Sequence, residues 1–216
     1  MVTFNTKDFE KMDKRYRAKF INSLSGAKSA NLIGTKSRGG QTNLSIVSSA
    51  VHIGSDPALM AIIFRPATVP RHTFENILDT KIFSLNHVSE EFFEKAHQTS
   101  ARYPREVSEF DAVGLTEEYV EDYFCPFVKE SALKILMELK EVHHLQINKT
   151  EMIIGEVKWV SAPRECLRED GYIDINTIGT MSVTGLDSYH PLKKGVRLSY
   201  AKPNQEVKTL DRDGLT

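Results

Sequence analysis

One segment of the chain combines cations, a hydroxyl and the start of a helix. It reads Arg65-Pro66-Ala67-Thr68-Val69-Pro70-Arg71-His72-Thr73. Its two prolines stiffen a loop that delivers Thr73 to the N-cap of a short helix. A helix N-terminus attracts anions, because its N–H groups are unpaired and the peptide dipole is positive there. The side chains expected around that anion are those of Arg65, Thr68, Arg71, His72 and Thr73. Taken alone, the segment could equally be a solvated basic turn.

A predicted strand before this loop is rich in small polar side chains. It reads Asn43-Leu44-Ser45-Ile46-Val47-Ser48-Ser49-Ala50-Val51. Short side chains let a flat ring approach the backbone, and hydroxyls and amides offer hydrogen bonds to ring heteroatoms. An edge strand with one polar face would have the same composition. Together with the cationic helix start, however, the strand predicts a site for a mononucleotide.

The elements that must position these two segments are mostly strands. Alternation and turn residues predict strands over residues 30–35, 42–51, 59–64 and 82–87, and a hairpin over 133–145 and 152–160. Residues 133–145 also contain helix formers, but the alternation favours a strand. Helices are expected over 8–24, over 73–79, and from a cap at Ser89 to Thr99. Residues 101–128 should form a long loop with short helices, and the tail beyond 162 should wrap a surface or a partner subunit.

The charge balance argues against nucleic-acid binding. Lys and Arg number 28 and Asp and Glu 29, which gives a net charge of −1, whereas binding dominated by phosphate contacts calls for a basic excess. The longest apolar run covers residues 58–64, far short of the about 20 residues of a membrane-spanning helix. With a charged N-terminus as well, we expect a cytoplasmic protein of one domain, residues 1–216, that contacts neither nucleic acid nor membrane.

The sequence predicts no metal site. Cys125 and Cys166 form neither a disulfide framework nor a zinc pattern, and we expect ordinary buried thiols. Two Glu-x-x-His strings, ending at His97 and His144, would suit a di-iron site only in a four-helix bundle. The β-rich character of the rest of the chain argues against that bundle.

A series of short motifs occurs in consistent order between residues 20 and 160. In chain order they are Asn31-Leu32-Ile33-Gly34-Thr35, Thr42-Asn43-Leu44-Ser45, Ser48-Ser49, Ser55-Asp56-Pro57-Ala58-Leu59, Arg65-Pro66, Arg71-His72-Thr73, Asn76-Ile77, Phe83-Ser84-Leu85-Asn86, Thr99-Ser100-Ala101, Tyr103-Pro104, Ser108-Glu109-Phe110-Asp111, Gly114-Leu115 and Ile154-Gly155-Glu156-Val157. Each is weak singly, but their order and spacing make the set specific. Through them the chain resembles the flavin reductase-like family of FMN-binding split barrels, which includes flavoredoxins.

The resemblance implies a mainly β fold with peripheral helices: a six-stranded antiparallel split barrel over about residues 20–160 with a C-terminal extension over 161–216. It implies homodimers with FMN near the subunit interface. The strand over residues 43–51 would line the isoalloxazine edge, and the loop over 65–73 would hold the ribityl phosphate. The loop over 99–103 would close over the cofactor. The ring and loop contacts implied in this way are Asn43, Ser48, Ser49, Ala50, Val51, Ser100 and Tyr103.

Members of this family pass electrons from NADH or NADPH through flavin to free flavin, ferric complexes or protein partners. The flavin carries the hydride chemistry, so no catalytic acid or base of the protein is expected. We therefore expect an FMN-dependent oxidoreductase. The alternative is a non-enzymatic FMN electron carrier that docks to a redox partner.

A few residues remain open against the resemblance. Many relatives carry a lysine where this chain has Glu109 and a histidine where it has Thr150, and both groups can lie close to flavin. In the extension, Tyr189 or His190 is a candidate to cover a neighbouring subunit's flavin, with subunit packing as the alternative. His52 and His87 are further candidates to lie beside flavin.

Overall fold

The computed structural model describes residues 1–66, 68–211 and 214 of the chain. Its helices are α1 (Thr6–Lys11), α2 (Lys14–Ser23), α3 (His72–Thr80), α4 (Phe93–Gln98) and α5 (Glu109–Val113). Its strands are β1 (Lys28–Ser29), β2 (Asn31–Lys36), β3 (Thr42–Val47), β4 (Val51–Ser55), β5 (Ala58–Phe64), β6 (Ile82–His87), β7 (Glu117–Glu118), β8 (Phe127–Val128), β9 (Lys134–Leu145), β10 (Thr150–Ser161), β11 (Met181–Thr184) and β12 (Ser188–Pro191). None of the described helices is long and apolar enough to cross a membrane.

The main sheet is curled into a barrel that is open along one seam. Its seven antiparallel strands run in the order β3-β2-β6-β9-β10-β5-β4. β3 and β4 are therefore the two edges, yet only residues 48–50 separate them along the chain. A connection that short spans at most about 14 Å, so the two edges lie close together. The mainly β split barrel expected from the motifs is thereby confirmed.

The sheet has seven strands where six were expected, because the predicted strand over residues 42–51 is two strands. The chain leaves the sheet at Ser48-Ser49-Ala50, which we call the crossing, and joins the opposite edge as β4. Ser49 holds the crossing in place. Its hydroxyl donates to the Ile63 carbonyl at 2.8 Å and accepts from the Ile63 N–H at 3.2 Å. The second expected strand is thus divided by closure of the barrel.

Alternation along the strands builds two cores on opposite sides of the sheet wall. On β2, Ile33 joins the barrel interior, whereas Leu32 joins an outer core. The interior is filled by Ile33, Ile62, Phe64, Phe74, Ile77, Phe83, Leu85, Ile135, Met137, Leu139 and Ile153. The outer core packs α4, α5 and β11 against the barrel, so the wall that carries the polar strand β3 is supported from both sides.

The hairpin of β9 and β10 confirms the strand assignment of residues 133–145. Ile135, Met137 and Leu139 alternate along β9 and point into the barrel interior. Their burial outweighs the helix propensity of the intervening residues, because strand formation depends mainly on packing against the sheet. The register shifts at two places along the hairpin, between Ile154 and Gly155 and between Val157 and Trp159.

Two predicted helices begin or continue differently in the structure. The helix expected over residues 8–24 is divided into α1 and α2, because Asp13 caps the second helix by accepting from the N–H groups of Arg15 and Tyr16 at 2.9 and 3.2 Å. The helix expected from Ser89 begins only at Phe93. Ser89 forms a β-bridge with Thr180 of the extension and is held in extended backbone.

The segment over residues 101–128 contains α5 and the two-strand ribbon of β7 and β8, as expected for a long loop with short elements. It passes very close to β2: a Cβ on Gly34 would lie 2.3 Å from the Pro126 carbonyl oxygen. Buried polar side chains of β6 secure it. Ser84 donates to the Pro126 carbonyl at 2.6 Å, and Asn86 accepts from the Val128 N–H at 3.1 Å.

The C-terminal extension folds back on the barrel of its own chain. β11 pairs with β1, and β12 continues that small sheet. Tyr189 of β12 packs on α4, where its ring centroid lies 5.5 Å from that of Phe93 and its hydroxyl 3.0 Å from His97 Nδ1. Of the two expectations for the tail, the structure shows the first, wrapping of a surface.

Candidate functional site

The helix after the basic loop begins at His72, and its N-cap is Arg71 rather than Thr73. Thr73 lies inside the first turn, where its hydroxyl donates to Asn43 Oδ1 of β3 at 2.5 Å. It ties α3 to the barrel and is not free to cap the helix. Glu75 serves the N-terminus instead, since its Oε1 accepts from the Arg71 N–H at 3.1 Å. Helix geometry leaves the N–H groups of His72, Thr73 and Phe74 without an acceptor inside the helix.

Three arginines gather at this helix start. Burial lowers the pKa of the Arg71 guanidinium, and the positive charges of Arg65 and Arg102 lower it further. The nearest acid of the helix, Glu75, is ion-paired with Arg105. Arg71 Nε is buried and has no hydrogen-bond partner among the described residues. Buried donors are nearly always paired in folded proteins, so this donor set fits an anion that a ligand would bring.

The residue that sequence reasoning missed here is Arg102. It lies between Ser100 and Tyr103, the two residues expected to close over the cofactor. Ser100 is exposed, and Tyr103 is half-buried with its hydroxyl accepting from Gln98 Nε2 at 3.2 Å. The available signal was a cation inside a loop already expected to close over the cofactor.

The remaining residues of the basic loop, which spans residues 65–73, are more exposed than Arg71 Nε. Arg65 and Thr68 are exposed, and His72 is half-buried at the first position of α3. Ala67, between them in the chain, lies outside the described residues. The structure therefore brings Arg71 and His72 to the helix start. Arg65 is exposed but close enough for its charge to lower the Arg71 pKa, and Thr68 is exposed to solvent.

Asn43 is buried beneath this helix start, and both polar atoms of its amide are paired inside the protein. Its Oδ1 accepts from Thr73, and its Nδ2 donates to Glu109 Oε2 at 2.6 Å. The same carboxylate oxygen accepts from the Leu44 N–H at 2.9 Å. Burial raises the pKa of Glu109, and these hydrogen bonds, with His72 nearby, oppose that rise. Asn43 thus joins β3 to α3 and α5.

The outer edge of β3 is covered by side chains from α5 and neighbouring segments. Besides Glu109 on the Leu44 N–H, the Thr99 hydroxyl accepts from the Ile46 N–H at 3.0 Å. Exposed edge N–H groups invite pairing with other strands, so this cover protects the edge as far as Ile46. The crossing begins two residues later.

The crossing lies close to the arginine-lined helix start. Thr73 Oγ1 is 2.9 Å from Ser45 Oγ, and Ser48 follows Ser45 by three residues, a distance of about 10 Å along an extended chain. Ser48, Ser49 and Ala50 are half-buried, whereas Val51 is 52% exposed. Of these, Ser49 uses its hydroxyl to bind β5. The expected ring contacts thus begin three residues along the chain from Ser45, which contacts the first turn of α3.

The other histidine and aromatic candidates lie in separate surroundings. His87 is partly buried at the end of β6 with its Nδ1 3.5 Å from Thr180 Oγ1, and burial lowers its pKa to about 4. His52 is exposed on β4. His190 Nε2 lies 2.9 Å from Thr184 Oγ1 within the small sheet of the extension. Thr150 closes the β9–β10 turn by donating to Asn148 Oδ1 at 2.7 Å.

Neither cysteine has the surroundings of a reactive thiol. Both are buried and unpaired. Burial raises the pKa of Cys125 to about 12 and also raises that of Cys166, which disfavours the nucleophilic thiolate. The prediction of ordinary buried thiols is confirmed. Within residues 1–66, 68–211 and 214, no three His, Cys, Asp or Glu residues are grouped so as to hold a metal ion.

A curled antiparallel sheet with a cationic helix start beside its seam places the chain among the split-barrel proteins. Residues 27–177 match the model of the flavin reductase like domain, and the chain belongs to that family. An uncharacterized protein of Aquifex aeolicus is 31% identical over 140 residues, which cover 64% of this chain and 70% of that protein. The resemblance drawn from the motifs is confirmed.

Solved structures agree with this assignment. A protein with a split barrel domain from Shewanella frigidimarina is 51% identical, with a TM-score of 0.90 over 93% of this chain and 100% of that chain. Flavoredoxin of Desulfovibrio vulgaris is 24% identical, with a TM-score of 0.67 over 83% of this chain and 92% of that chain, and shares the fold. Family membership gives the chain a flavin-related oxidoreductase function.

Proposed function

We propose that the protein binds FMN with its phosphate at the start of α3 and its isoalloxazine ring along the crossing. The observation that carries this proposal is the buried Arg71 Nε, which has no partner among the described residues. The positive charges of Arg65 and Arg102 beside it disfavour a third positive charge, since they lower the Arg71 pKa. A phosphate would supply both the missing acceptor and the missing negative charge.

The two halves of the site divide the work of binding. At the phosphate, we assign Arg65, Thr68, Arg71, His72 and Arg102, together with the backbone N–H groups of the first turn of α3. At the ring, Ser48, Ala50 and Val51 would form the contact surface, and Ser100 and Tyr103 would cover it. Asn43, Thr73 and Ser49 use their side chains to hold this scaffold together. The short distance from Ser45 to the crossing is one that a ribityl chain can bridge.

We infer further that NADH or NADPH is the electron donor and that free flavin, a ferric complex or a protein is the acceptor. Bound FMN would supply the hydride and electron chemistry. The protein would orient the ring against the half-buried crossing and hold the phosphate, while the loop over residues 99–103 would limit access of water. Anaerobic mixing of the FMN-loaded protein with NADH or NADPH tests this: bleaching of the flavin absorbance within seconds is expected.

A second candidate function is that of a non-enzymatic FMN electron carrier. It is favoured by the shared fold with the flavoredoxin of Desulfovibrio vulgaris. A carrier predicts the opposite result in the same experiment. Neither nucleotide would bleach the flavin, whereas dithionite or a reduced protein donor would.

We also propose that two copies of the chain form a homodimer through the outer face of β4 and β5. Val51, Ile53 and Ile63 are 52%, 45% and 44% exposed there. Contiguous apolar surface of this kind marks interaction sites. Because β4 begins at the crossing, a partner on this face would lie near the proposed ring.

Two further parts of the proposal concern the whole chain. We propose that residues 1–216 act as one domain, because β11 of the extension pairs with β1 ahead of the barrel. We also propose a cytoplasmic location, since both buried cysteines are unpaired thiols, as is usual in reducing compartments.

A further inference from the structure

Glu109, in the first turn of α5, is a buried carboxylate whose hydrogen bonds go to β3. It is 5% exposed. Its Oε2 accepts from Asn43 Nδ2 at 2.6 Å and from the Leu44 N–H at 2.9 Å. An ionised carboxylate can only accept hydrogen bonds. The NH₂ group of Asn43 must therefore face Glu109, and its Oδ1 must face the other way.

Thr73 lies on that other side. Its hydroxyl donates to Asn43 Oδ1 at 2.5 Å. Thr73 belongs to the first turn of α3, two residues after Arg71. If the Asn43 amide turned over, its NH₂ would face Thr73, and the Thr73 hydroxyl would keep only Ser45 Oγ, 2.9 Å away, as an acceptor. One amide thus carries a fixed polarity from α5, through β3, to the start of α3.

We propose that Glu109 is a positioning residue for the anion site. Through Asn43 it holds Thr73, and with Thr73 the first turn of α3, in the place where Arg71 and the free helix N–H groups meet a phosphate. We call Glu109, Asn43 and Thr73 the relay. This inference rests on the proposed FMN site and names the residues that hold the first turn of α3 in position there.

The chemistry of the relay explains why a carboxylate occupies this position. A buried charge is costly, and burial indeed raises the pKa of Glu109. A buried glutamine would avoid that cost, and its carbonyl oxygen could accept from both donors, but its NH₂ group would then need an acceptor of its own. A methionine would leave both Asn43 Nδ2 and the Leu44 N–H without their acceptor. The carboxylate therefore fixes one direction of the relay.

The experiment measures the dissociation constants of FMN and riboflavin, which differ only in the phosphate. We define the phosphate ratio as the riboflavin constant divided by the FMN constant. Glu109→Met should lower this ratio about tenfold, the loss expected for one charge-assisted hydrogen bond, with riboflavin affinity almost unchanged. Glu109→Gln should restore the ratio to within about threefold of the wild type, because its carbonyl oxygen can accept from both donors.

A double-mutant cycle separates a relay from general loosening. Thr73→Val cuts the relay at its other end while Glu109 stays paired with Asn43. Combined with Glu109→Met, it should lower the ratio by no more than about twofold beyond the stronger single variant, since residues that act as one unit are not additive. The matched control is Glu117→Met, which removes another carboxylate from the edge of β3: Glu117 Oε1 accepts from the Thr42 hydroxyl at 2.5 Å. Its phosphate ratio should equal that of the wild type.

Each contrary outcome has a distinct meaning. A wild-type ratio near one would overturn the proposed phosphate site and this inference with it. A high wild-type ratio that Glu109→Met leaves unchanged, or losses that add in the double variant, would overturn the relay alone. An equal loss in Glu117→Met would show loosening of the whole edge and would also overturn the relay. Should Glu109→Met fail to fold, Thr73→Val by itself decides, and an unchanged ratio there contradicts the proposal.

Discussion

Replacing Arg71 by alanine should weaken FMN binding and leave riboflavin binding unchanged. Arg71 Nε is buried without a partner among the described residues, so at least one charge-assisted hydrogen bond is available to a phosphate. Such a bond contributes about 1.5–3 kcal/mol, which corresponds to about a 10- to 150-fold rise in the FMN dissociation constant. Riboflavin has no phosphate and should bind wild type and Arg71→Ala alike.

The same substitution should not destabilise the ligand-free protein through electrostatics. Burial and the charges of Arg65 and Arg102 already lower the pKa of Arg71, which means that its positive charge is unfavourable where it stands. Removing it relieves that repulsion. The melting temperature without ligand should therefore hold steady or rise, whereas the increase produced by a fixed excess of FMN should shrink, because that increase follows the logarithm of affinity.

Flavin fluorescence titration gives both dissociation constants, and differential scanning calorimetry gives the melting temperatures. The matched control is Arg38→Ala. Arg38 lies in the turn between β2 and β3, and its Nε pairs with Asp79 Oδ1, near the C-terminal end of α3, at 2.9 Å. That exposed pair should matter little, and neither flavin constant should change. Equal FMN affinity in Arg71→Ala and wild type would refute the assignment of the phosphate to the start of α3. An equal loss in Arg38→Ala would refute its specificity.

Three other predictions follow from single contacts. Because burial lowers the pKa of His87 to about 4, its unfolded form alone takes up a proton as pH falls from about 6.5, so stability should drop by up to about 3 kcal/mol between pH 7 and 4. Urea denaturation should show a smaller drop in His87→Gln, and an equal drop would contradict this. Gly34→Ala should lower the free energy of unfolding by about 1–3 kcal/mol, since its Cβ would lie 2.3 Å from the Pro126 carbonyl oxygen. The control is Gly39→Ala, whose Cβ would meet only Ser37 Oγ at 3.7 Å. Equal urea midpoints for the two variants would contradict this prediction. Ile63→Asp should convert the proposed dimer to a monomer in light scattering, whereas Ile147→Asp, 96% exposed in wild type, should not; a dimer in both would place the interface elsewhere.

Local patterns were sufficient for most elements of the barrel. β6 occupies residues 82–87 as its alternation predicted, and β5 and α3 differ from their predicted bounds by one residue at most at each end. In these elements the burial pattern, the flanking turn residues and the spacing of apolar residues all favour the same secondary structure. Where a local pattern failed, a contact distant in the chain or a single cap decided. The crossing interrupts a stretch that was predicted as one continuous strand, and only closure of the barrel requires the chain to change edges there.

In the candidate site, too, some features followed from the local sequence and others depended on contacts distant in the chain. The cations of the basic loop could be chosen from the sequence, because charge beside a helix start has a direct chemical meaning. Arg102 was missed, since nothing in its own segment shows that the loop after α4 returns to α3. The N-cap was assigned to Thr73 by residue preference, but the buried Asn43 offers its hydroxyl a closer partner. The hydrogen-bond partner of Thr73 is 30 residues away in the chain, so only the folded structure identifies it.

The polar strand deserves a different interpretation from the one its composition invites. Small hydroxyl and amide side chains suggested hydrogen bonds to a ligand, yet Asn43 and Ser49 use theirs to join β3 to α3, α5 and β5. What such side chains contribute is compactness: they are short enough to pair within the wall and leave the crossing accessible. A ring lying there would meet backbone and small half-buried residues, whereas the strong charge would act only at the phosphate. That separation is why the phosphate ratio, rather than affinity for either flavin alone, measures whether the site is assembled as the structure implies.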